Sequence, residues 1–317
     1  MTAVVRRTLG RWSATRRPAL AAVTAGIVAD WLLGEPPASW HPVAGFGRAM
    51  IWLEHRWYAD SRRRGMLHAA CGTALAGGTG WLLTSGRPRQ RQLALALATY
   101  VAVAARALQT EADRVAASLE AGDLDTARAR LPALVGRDPA GLGTAEVTRA
   151  VVESVAENTV DAVVAPAWWA ALAGPGGVLA YRAINTLDAM VGHRSPRYAR
   201  FGWAAARADD IAGWAPARLT ALLVAAVRPR AFPSVLTAVR KQAPAHPSPN
   251  AGVAEAAFAA ALGVRLGGPN SYDGRVERRP DLGSGASPQV PDIARAVRLS
   301  RDVTAAAAII GLVLWRR

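Results

Sequence analysis

Blocks of apolar residues alternate with polar, arginine-rich stretches along most of this 317-residue chain. The apolar blocks cover residues 20–34, 66–85, 93–108, 160–180 and 303–315. The block at 66–85 has about the twenty residues that cross a bilayer core, whereas the others are shorter or contain proline and glycine. The pattern predicts an all-α, polytopic integral membrane protein with about four to five membrane segments, whose polar regions form a site at the membrane interface.

The polar stretches predict how the chain is organised. Residues 1–19 form a basic N-terminal tail, and residues 20–317 are expected to form a single membrane-embedded domain. Within that domain the stretch at about 109–159 predicts a polar helical insert. The stretch at about 267–291 is rich in glycine and proline, which favours a loop.

Charge and composition narrow the class of partner. The formal net charge is +15, which raises the question of nucleic-acid binding. However, the arginines gather at the edges of the apolar blocks, and no zinc-ligand spacing or RNA-binding aromatic motif lies between them. Arginines at such edges are typical of membrane flanks. We therefore expect a lipid bilayer as partner and no nucleic acid. Cys71 is the only cysteine, which excludes an internal disulfide and a cysteine zinc cluster.

One pattern of carboxylates stands out within the polar stretches. Glu153, Glu157 and Asp161 are spaced four residues apart, so on a helix they form one stripe that runs into the apolar residues 163–173. Like charges at this spacing destabilise a helix, and carboxylates beside apolar surface are costly to desolvate. A site for a divalent cation or a cationic substrate accounts for the stripe. Alternatively, Glu153 pairs with Arg149, its i−4 neighbour, as a solvated ion pair.

Three further polar blocks adjoin apolar segments. They contain Asp30 and His41; Arg182, Asn185, Asp188, His193 and Arg194, with Asp209 and Asp210 downstream; and His246, Asn250, Glu255 and Asn270. Each block has a simpler interpretation: helix caps for Asp30 and His41, an interfacial anchor for Arg182, polar surface for the loop histidines. Together with Asn158, the oxygen ligands suit Mg²⁺, and the arginines suit phosphate. No Walker A loop is present, so any use of ATP here requires a different site.

In order and in composition these motifs resemble the membrane-bound adenosylcobinamide-phosphate synthase family of cobalamin biosynthesis. The resemblance covers nearly the whole chain after the basic tail. It rests on DWLLGEPP (30–37) followed by HPV (41–43), GRD (136–138), ESVAENTVDAVVAP (153–166), YRAINTLDAMVG (181–192), FGWAAARADD (201–210), PARLT (216–220), HPSPNAG (246–252) and LGGPN (266–270).

The resemblance implies a multi-pass enzyme of the cell membrane. Such an enzyme joins the propionate carboxylate of (adenosyl)cobyric acid to the amine of aminopropanol, or of its phosphate, with ATP and Mg²⁺. The use of ATP places the site at the cytoplasmic face, and other corrin-pathway membrane enzymes are possible partners.

For that reaction we expect Glu153, Glu157 and Asp161 to bind Mg²⁺ or the amine, with Asn158 assisting. We expect Arg137, Arg182 and Arg194 to hold phosphates. Asp188, His193 or His246 takes the proton of the amine, because attack needs a neutral nitrogen. The remaining residues expected to line the substrate site are Asp30, His41, Asn185, Asp209, Asp210, Asn250, Glu255 and Asn270.

Two other classes of protein stay open. Broken apolar segments with acidic residues are also how transporters build sites in the membrane. A non-catalytic scaffold for corrin enzymes explains the apolar segments but gives the carboxylate stripe no purpose. Substrate-dependent ATP turnover distinguishes an enzyme from both.

Overall fold

A computed structural model describes residues 19–37, 39–136, 139–193, 195–272 and 275–316. Over these residues the chain is all-α apart from one β-hairpin. The α-helices are α1 (Ala19–Leu33), α2 (Pro42–Trp57), α3 (Arg62–Leu82), α4 (Pro88–Ala102), α5 (Ala105–Glu120), α6 (Leu124–Arg130), α7 (Thr144–Thr159), α8 (Ala165–Val191), α9 (Tyr198–Phe201), α10 (Trp203–Ala212), α11 (Trp214–Val227), α12 (Phe232–Lys241), α13 (Ala251–Leu262) and α14 (Val290–Arg316). The hairpin strands are β1 (Leu266–Tyr272) and β2 (Arg275–Leu282).

Short tight turns complete the helical structure. Among the described residues, three 3₁₀ turns cover Leu131–Ala133, Pro229–Ala231 and Ala243–Ala245. One π-helical turn, Val160–Val164, joins α7 to α8. A π turn holds more residues than an α turn, so it displaces the side chains that follow from the faces that a regular helix predicts.

The described residues divide into two compact units. Unit 1 takes the described parts of Met1–Ala104, Ala165–Ala212 and Ala307–Arg317, and unit 2 takes Ala105–Val164 and Gly213–Ala306. The prediction of one domain over residues 20–317 stays a prediction.

The core of unit 1 lies where α2, α3, α8, α9 and α10 meet. Its buried side chains are Met50, Ala69, Leu187, Val191, Phe201 and Ala205. Glycines in α3 permit close helix packing: a Cβ at Gly65 would lie 1.7 Å from the carbonyl oxygen of Phe201. Within α8 the chain bends at Gly174, whose φ of 65° precedes Pro175. Only a residue without a side chain adopts this conformation readily.

The core of unit 2 is centred on α13. This alanine-rich helix is buried along nearly its whole length and ends at Gly263 in the left-handed conformation. Helix α7 is buried over most of its length too, from Val147 to Ala156. Apolar composition in these two helices therefore reflects protein core.

The β-hairpin replaces part of the loop that the sequence predicts at about 267–291. β1 and β2 pair antiparallel, with a bulge between Leu266 and Gly268. Gly267 and Gly268 have φ of 93° and 92°. These two glycines therefore form a bulge inside a strand and not a tight turn.

By length and composition, two described helical stretches are able to cross a membrane: Pro88–Glu120 and Thr144–Val191. A third arises if α10 and α11, which are bent by 43° at their junction, count as one span. The predicted four to five segments are therefore not confirmed. The block at 66–85 lies in α3, which is not among these stretches, because its glycines and His68 lower its mean hydropathy.

Candidate functional site

Polar residues from two of the sequence motifs meet in unit 2. We call this group the His246 cluster; its members are Arg149, Glu153, His246, Glu255 and Arg279. Helix α7 supplies the first two, the loop before α13 and α13 itself supply the next two, and β2 supplies the last.

Glu153 is held firmly inside this cluster. Its side chain is only 4% exposed, and its Oε1 accepts a hydrogen bond from the backbone N–H of Gly267 at 2.8 Å. Arg149 lies 3.8 Å from the same oxygen and donates to the carbonyl of Pro269 at 2.5 Å. The predicted pair between Arg149 and Glu153 is thus confirmed, but it is buried and not solvated. Removal of one partner from a buried ion pair of this kind strongly destabilises the folded protein.

The glycines of the LGGPN motif have a reason in this geometry. A Cβ on Gly268 would lie 2.7 Å from Nη1 of Arg149, and one on Gly267 would lie 2.1 Å from the carbonyl of Pro280. Glycine is needed here for its positive φ and for the space that its missing side chain leaves.

His246 is buried beside Glu255. Its Nε2 lies 3.8 Å from Oε1 of Glu255 and 3.5 Å from Nη1 of Arg279, and its Nδ1 lies 3.1 Å from both the amide nitrogen and the carbonyl oxygen of Ser248. Burial lowers the pKa of His246; the hydrogen bond to Ser248 opposes this shift, and the charge of Arg279 adds to it. The lowered pKa favours the neutral imidazole, which is able to accept a proton.

The HPSPNAG motif shapes this loop. A Cβ on Gly252 would lie 2.4 Å from the Cβ of His246, so only glycine leaves room for the histidine. Asn250 is buried and accepts a hydrogen bond from Arg218 at 3.3 Å, while Arg218 also donates to the carbonyl of Pro249. These contacts tie Asn250 to the position of the loop.

The carboxylate stripe does not form one compact group. Glu153 is buried, Glu157 is exposed on the next turn of α7, and Asp161 lies in the π turn and is half-buried. Among the described residues, no group of three or more His, Cys, Asp or Glu side chains is arranged to hold a metal ion. Asn158 donates to the carbonyl and hydroxyl oxygens of Ser154. The role of Glu157 and Asp161 in binding Mg²⁺ stays a prediction.

A second polar group lies in unit 1. We call it the Arg182 cluster; its members are Glu35, His41, Arg182, Asn185 and Asp209. Arg182 lies 3.4 Å from Oδ1 of Asn185, and Asn185 donates to Asp209 at 3.3 Å. Nε of Arg182 is buried and has no hydrogen-bond partner among the described residues. A phosphate or carboxylate oxygen is the partner that such a guanidinium group prefers.

His41 has both a structural and an electrostatic role in this cluster. It caps α2, because its Nδ1 accepts from the N–H of Val43 at 3.1 Å and Pro42 begins the helix. His41 thus caps a helix, as its simpler interpretation has it, but the helix is the second one and not the first. Burial lowers the pKa of His41, and the positive charge of Arg182 lowers it further. Burial raises the pKa of Glu35, and the positive charge of Arg182 opposes this shift.

The other predicted residues lie elsewhere. Asp30 is fully buried in α1. The side chain of Asp188 lies against Gly192: a Cβ added to Gly192 would lie 1.8 Å from Oδ1 of Asp188. His193 is exposed, and Asp210 forms an ion pair with Arg207 at 3.2 Å.

Three predicted residues have little or no described structure. Arg137 and Arg194 lie outside the described residues. Asn270 lies in β1, opposite Glu277.

Sequence reasoning missed several charged residues. Arg279 gave no signal, because it belongs to a stretch predicted to be a loop. Glu54 gave none either: it is buried in α2 and accepts hydrogen bonds from Arg197 at 3.1 Å and from the hydroxyl of Tyr198 at 2.8 Å. These three residues line an open cleft of about 520 Å³ in unit 1, together with Ile51, His55 and Met190.

Comparison with known proteins shows which family the chain is similar to. A family model described as "CobD/Cbib protein" matches residues 23–300. A protein of Mycobacterium tuberculosis (strain H37Rv), named cobalamin biosynthesis protein CobD, is 49% identical over 299 residues, which cover 93% of this chain and 95% of that protein.

Proteins of the same name in other bacteria are similar over comparable lengths. The one from Pelobacter propionicus is 42% identical and covers 81% of this chain and 83% of its own. The one from Rhodobacter capsulatus is 41% identical and covers 94% and 98%. No solved structure gives a significant match.

Proposed function

The chain belongs to the CobD/Cbib family, and from this premise we propose that it is an amide-bond-forming enzyme of cobalamin biosynthesis. Its substrates are (adenosyl)cobyric acid and aminopropanol or aminopropanol phosphate, and the new amide forms at the propionate carboxylate. ATP is the co-substrate, and the protein is a multi-pass protein of the cell membrane with its site at the cytoplasmic face. The names of the relatives support the pathway; the reaction is our proposal.

The observation that carries the proposal is the neutral, buried His246 beside a buried carboxylate. An amine is protonated in water, and it attacks an acyl group only after it loses a proton. The lowered pKa of His246 favours its neutral form, which is able to accept that proton. Glu255, at 3.8 Å, stabilises the imidazolium ion that forms.

Activation of the carboxylate requires groups that bind anions. A carboxylate forms an amide most simply through an acyl phosphate, whose formation places charge on phosphoryl oxygens. Within unit 1, the unsatisfied Nε of Arg182 separately fits an oxygen of a phosphate or a carboxylate. Arg149 and Arg279 are the cations of the His246 cluster.

Mg²⁺ that arrives with ATP does not need all three carboxylates of the stripe. Mg²⁺ in nucleotide sites takes one or two protein carboxylates and completes its shell with water and phosphates. Exposed Glu157, with Asp161 and Asn158 after it, supplies oxygen donors of this kind. Bound there, the ion would neutralise charge on the transferred phosphoryl group.

The test uses purified protein in detergent with cobyric acid, ATP, Mg²⁺ and either form of the amine. Mass spectrometry of the corrinoid reports the gain of one amide. We expect ATP-dependent product, and a loss of about 100-fold in kcat for Glu157→Gln, because one group that stabilises developing charge is removed. Since Glu157 is exposed, its substitution spares the fold.

Glu120→Gln is the matched control, because Glu120 is an exposed carboxylate at the end of α5. It is expected to keep full activity. Full activity of a folded Glu157→Gln protein would refute the metal assignment. No new corrinoid from folded protein with either amine would refute the reaction.

Transport is less well supported at the bend in α8. The bend at Gly174 falls in a stretch, residues 165–181, that contains no ionisable side chain except Tyr181. Transporter sites place polar or charged groups at such breaks. ATP turnover that depends on both cobyric acid and amine distinguishes the enzyme from a transporter or a scaffold.

A further inference from the structure

The exposed large hydrophobic side chains are distributed very unevenly over the described chain. All of them lie in unit 1 except Trp214, Leu222 and Phe232, which lie on α11 and α12. In water such an apolar surface is unfavourable, and it marks a face that another apolar phase covers. Unit 2 instead buries its apolar helices α7 and α13.

The two faces of helix α3 indicate that this apolar phase is lipid. One face of α3 carries Leu67, Cys71, Leu75 and Leu82, which are exposed and spaced to form a stripe. The opposite face carries Gly65, Gly72 and Gly80, and a Cβ at Gly80 would lie 2.4 Å from the carbonyl of Pro175. Small residues that face the protein, with large apolar residues facing outward, are typical of helices packed in lipid.

The ends of α3 match a bilayer in chemistry and in length. It begins with Arg62, Arg63 and Arg64 and ends near the exposed Trp81, and Arg62 stacks over exposed Trp203 at 5.2 Å. Its 21 residues extend about 31 Å, close to the thickness of a hydrocarbon core. Arginine and tryptophan at such a spacing are anchors at the membrane interface.

Other helices of unit 1 repeat the pattern. Leu93 and Leu97 are exposed one turn apart on α4, whose N-terminal end carries Arg87, Arg89 and Arg91. At the end of α14, Ile309, Ile310 and Val313 are exposed, and Thr24 of α1 donates to the carbonyl of Ala308.

We infer that unit 1 is the part of the protein embedded in lipid, that α3 crosses the bilayer although its hydropathy is low, and that unit 2, with the His246 cluster, lies in water. This inference rests on the proposed membrane localisation and adds which residues face lipid. Only part of the stretch Thr144–Val191 is then assigned to the membrane. That part lies in α8, whereas the part in α7 is buried in unit 2.

The only cysteine of the chain is placed to test this inference. Cys71 is exposed and lies midway between the arginines and Trp81 of α3. A nitroxide label on native Cys71, with the protein reconstituted in phosphatidylcholine–phosphatidylglycerol vesicles, reports its surroundings through collisions with oxygen or with a water-soluble nickel chelate. Oxygen concentrates in lipid and the chelate stays in water.

The matched variant carries Ala121→Cys in a Cys71→Ala background, since Ala121 is exposed in a turn of unit 2. We expect the ratio of oxygen to nickel collisions to be several-fold higher at position 71 than at position 121. Circular dichroism of the labelled proteins verifies that both are folded.

Flotation of the vesicles separates the two ways of failing. If the protein floats with the vesicles but Cys71 meets the nickel chelate, the inference about α3 is wrong and the membrane localisation stands. A label at position 121 that avoids the chelate overturns the assignment of unit 2 to water. Protein that does not float, with both labels in contact with the chelate, overturns the membrane localisation itself.

Discussion

The stability of the folded protein is expected to depend on pH through His246, the residue proposed as proton acceptor. The unfolded chain titrates this histidine near its ordinary pKa of 6.5, whereas burial lowers the pKa in the folded protein. Below pH 6.5 the unfolded state therefore takes up a proton first. The free energy of unfolding decreases as the pH falls from the ordinary pKa towards the lowered one.

A substitution that removes this titration tests the argument. We expect wild-type protein to lose more thermal stability between pH 7 and pH 5.5 than His246→Gln does, as measured by far-UV circular dichroism in detergent. His193→Gln, at an exposed histidine, is expected to behave as wild type. Equal pH dependence of wild type and His246→Gln would contradict the prediction.

Glu153 carries a second prediction at the residue scale. Glu153→Gln leaves Arg149 without its buried carboxylate, so we expect a loss of about 3 kcal/mol in the free energy of unfolding. That corresponds to a midpoint lower by roughly 5–10 °C. Glu157→Gln, one turn along the same helix but exposed, is expected to change stability by less than about 0.5 kcal/mol. Similar melting curves for the two variants would refute the special position of Glu153.

Sequence reasoning located the motifs but not their individual roles. Glu153, Glu157 and Asp161 have similar side chains at even spacing, yet one is buried, one exposed and one half-buried. Burial depends on what packs against α7, and the backbone of Gly267, which binds Glu153, is far away in sequence. Arg279 was missed for the same reason, since strand pairing brings it opposite Gly268.

At the scale of elements, α3 depends on where its glycines lie. Gly80 faces the backbone of α8, whereas Gly78 has no atom within 4 Å of the Cβ that alanine would add. The two glycines therefore differ in packing, although the sequence alone does not distinguish them.

Alanine substitutions at these two glycines test the packing. Gly80→Ala is expected to lower stability by about 1–3 kcal/mol, because the backbone of Pro175 has to move. Gly78→Ala is expected to be neutral or to stabilise by up to about 1 kcal/mol through helix propensity. Thermal melts of both proteins in detergent measure the difference, and a Gly80→Ala protein as stable as wild type would show that α3 and α8 pack less closely.

Periodicity predicted most elements and failed where backbone geometry changes. A stripe at i, i+4 and i+8 assumes a regular α-helix, but a π turn begins at Val160, after Glu157, and contains Asp161. Glycine and proline near residue 267 favoured a loop, whereas a bulge accommodates the two glycines within a strand. Both features depend on tertiary packing, which no local pattern contains.

At the scale of the whole molecule, hydropathy alone does not tell which apolar helices are buried in protein and which are exposed. Apolar composition predicted an all-α membrane protein, and the described fold is all-α apart from one hairpin. Composition does not distinguish a helix buried in protein, such as α13, from one exposed to lipid. Length and composition therefore gave two or three spans where four to five were predicted. The exposed side chains supply the missing information.

Tryptophan is distributed in the same way as the exposed apolar surface. Trp31, Trp40, Trp52, Trp81 and Trp203 are exposed in unit 1, and Trp214 is the only tryptophan in unit 2. We expect brominated phosphatidylcholine in the vesicles to quench most of the tryptophan fluorescence. Aqueous iodide is the control and is expected to quench little; strong quenching by iodide would place these side chains in water.

The division of the chain between the units has a consequence for its continuity. Both segments of unit 2 are insertions: the chain leaves unit 1 after Ala104 and returns at Ala165, then leaves after Ala212 and returns at Ala307. Helices on either side of each insertion belong to one packed body. A gene split in the exposed turn at Gly122 would thus encode two fragments, residues 1–122 and 123–317, that share this body. Co-expressed, the two halves are expected to reassemble and to copurify through a tag on only one of them.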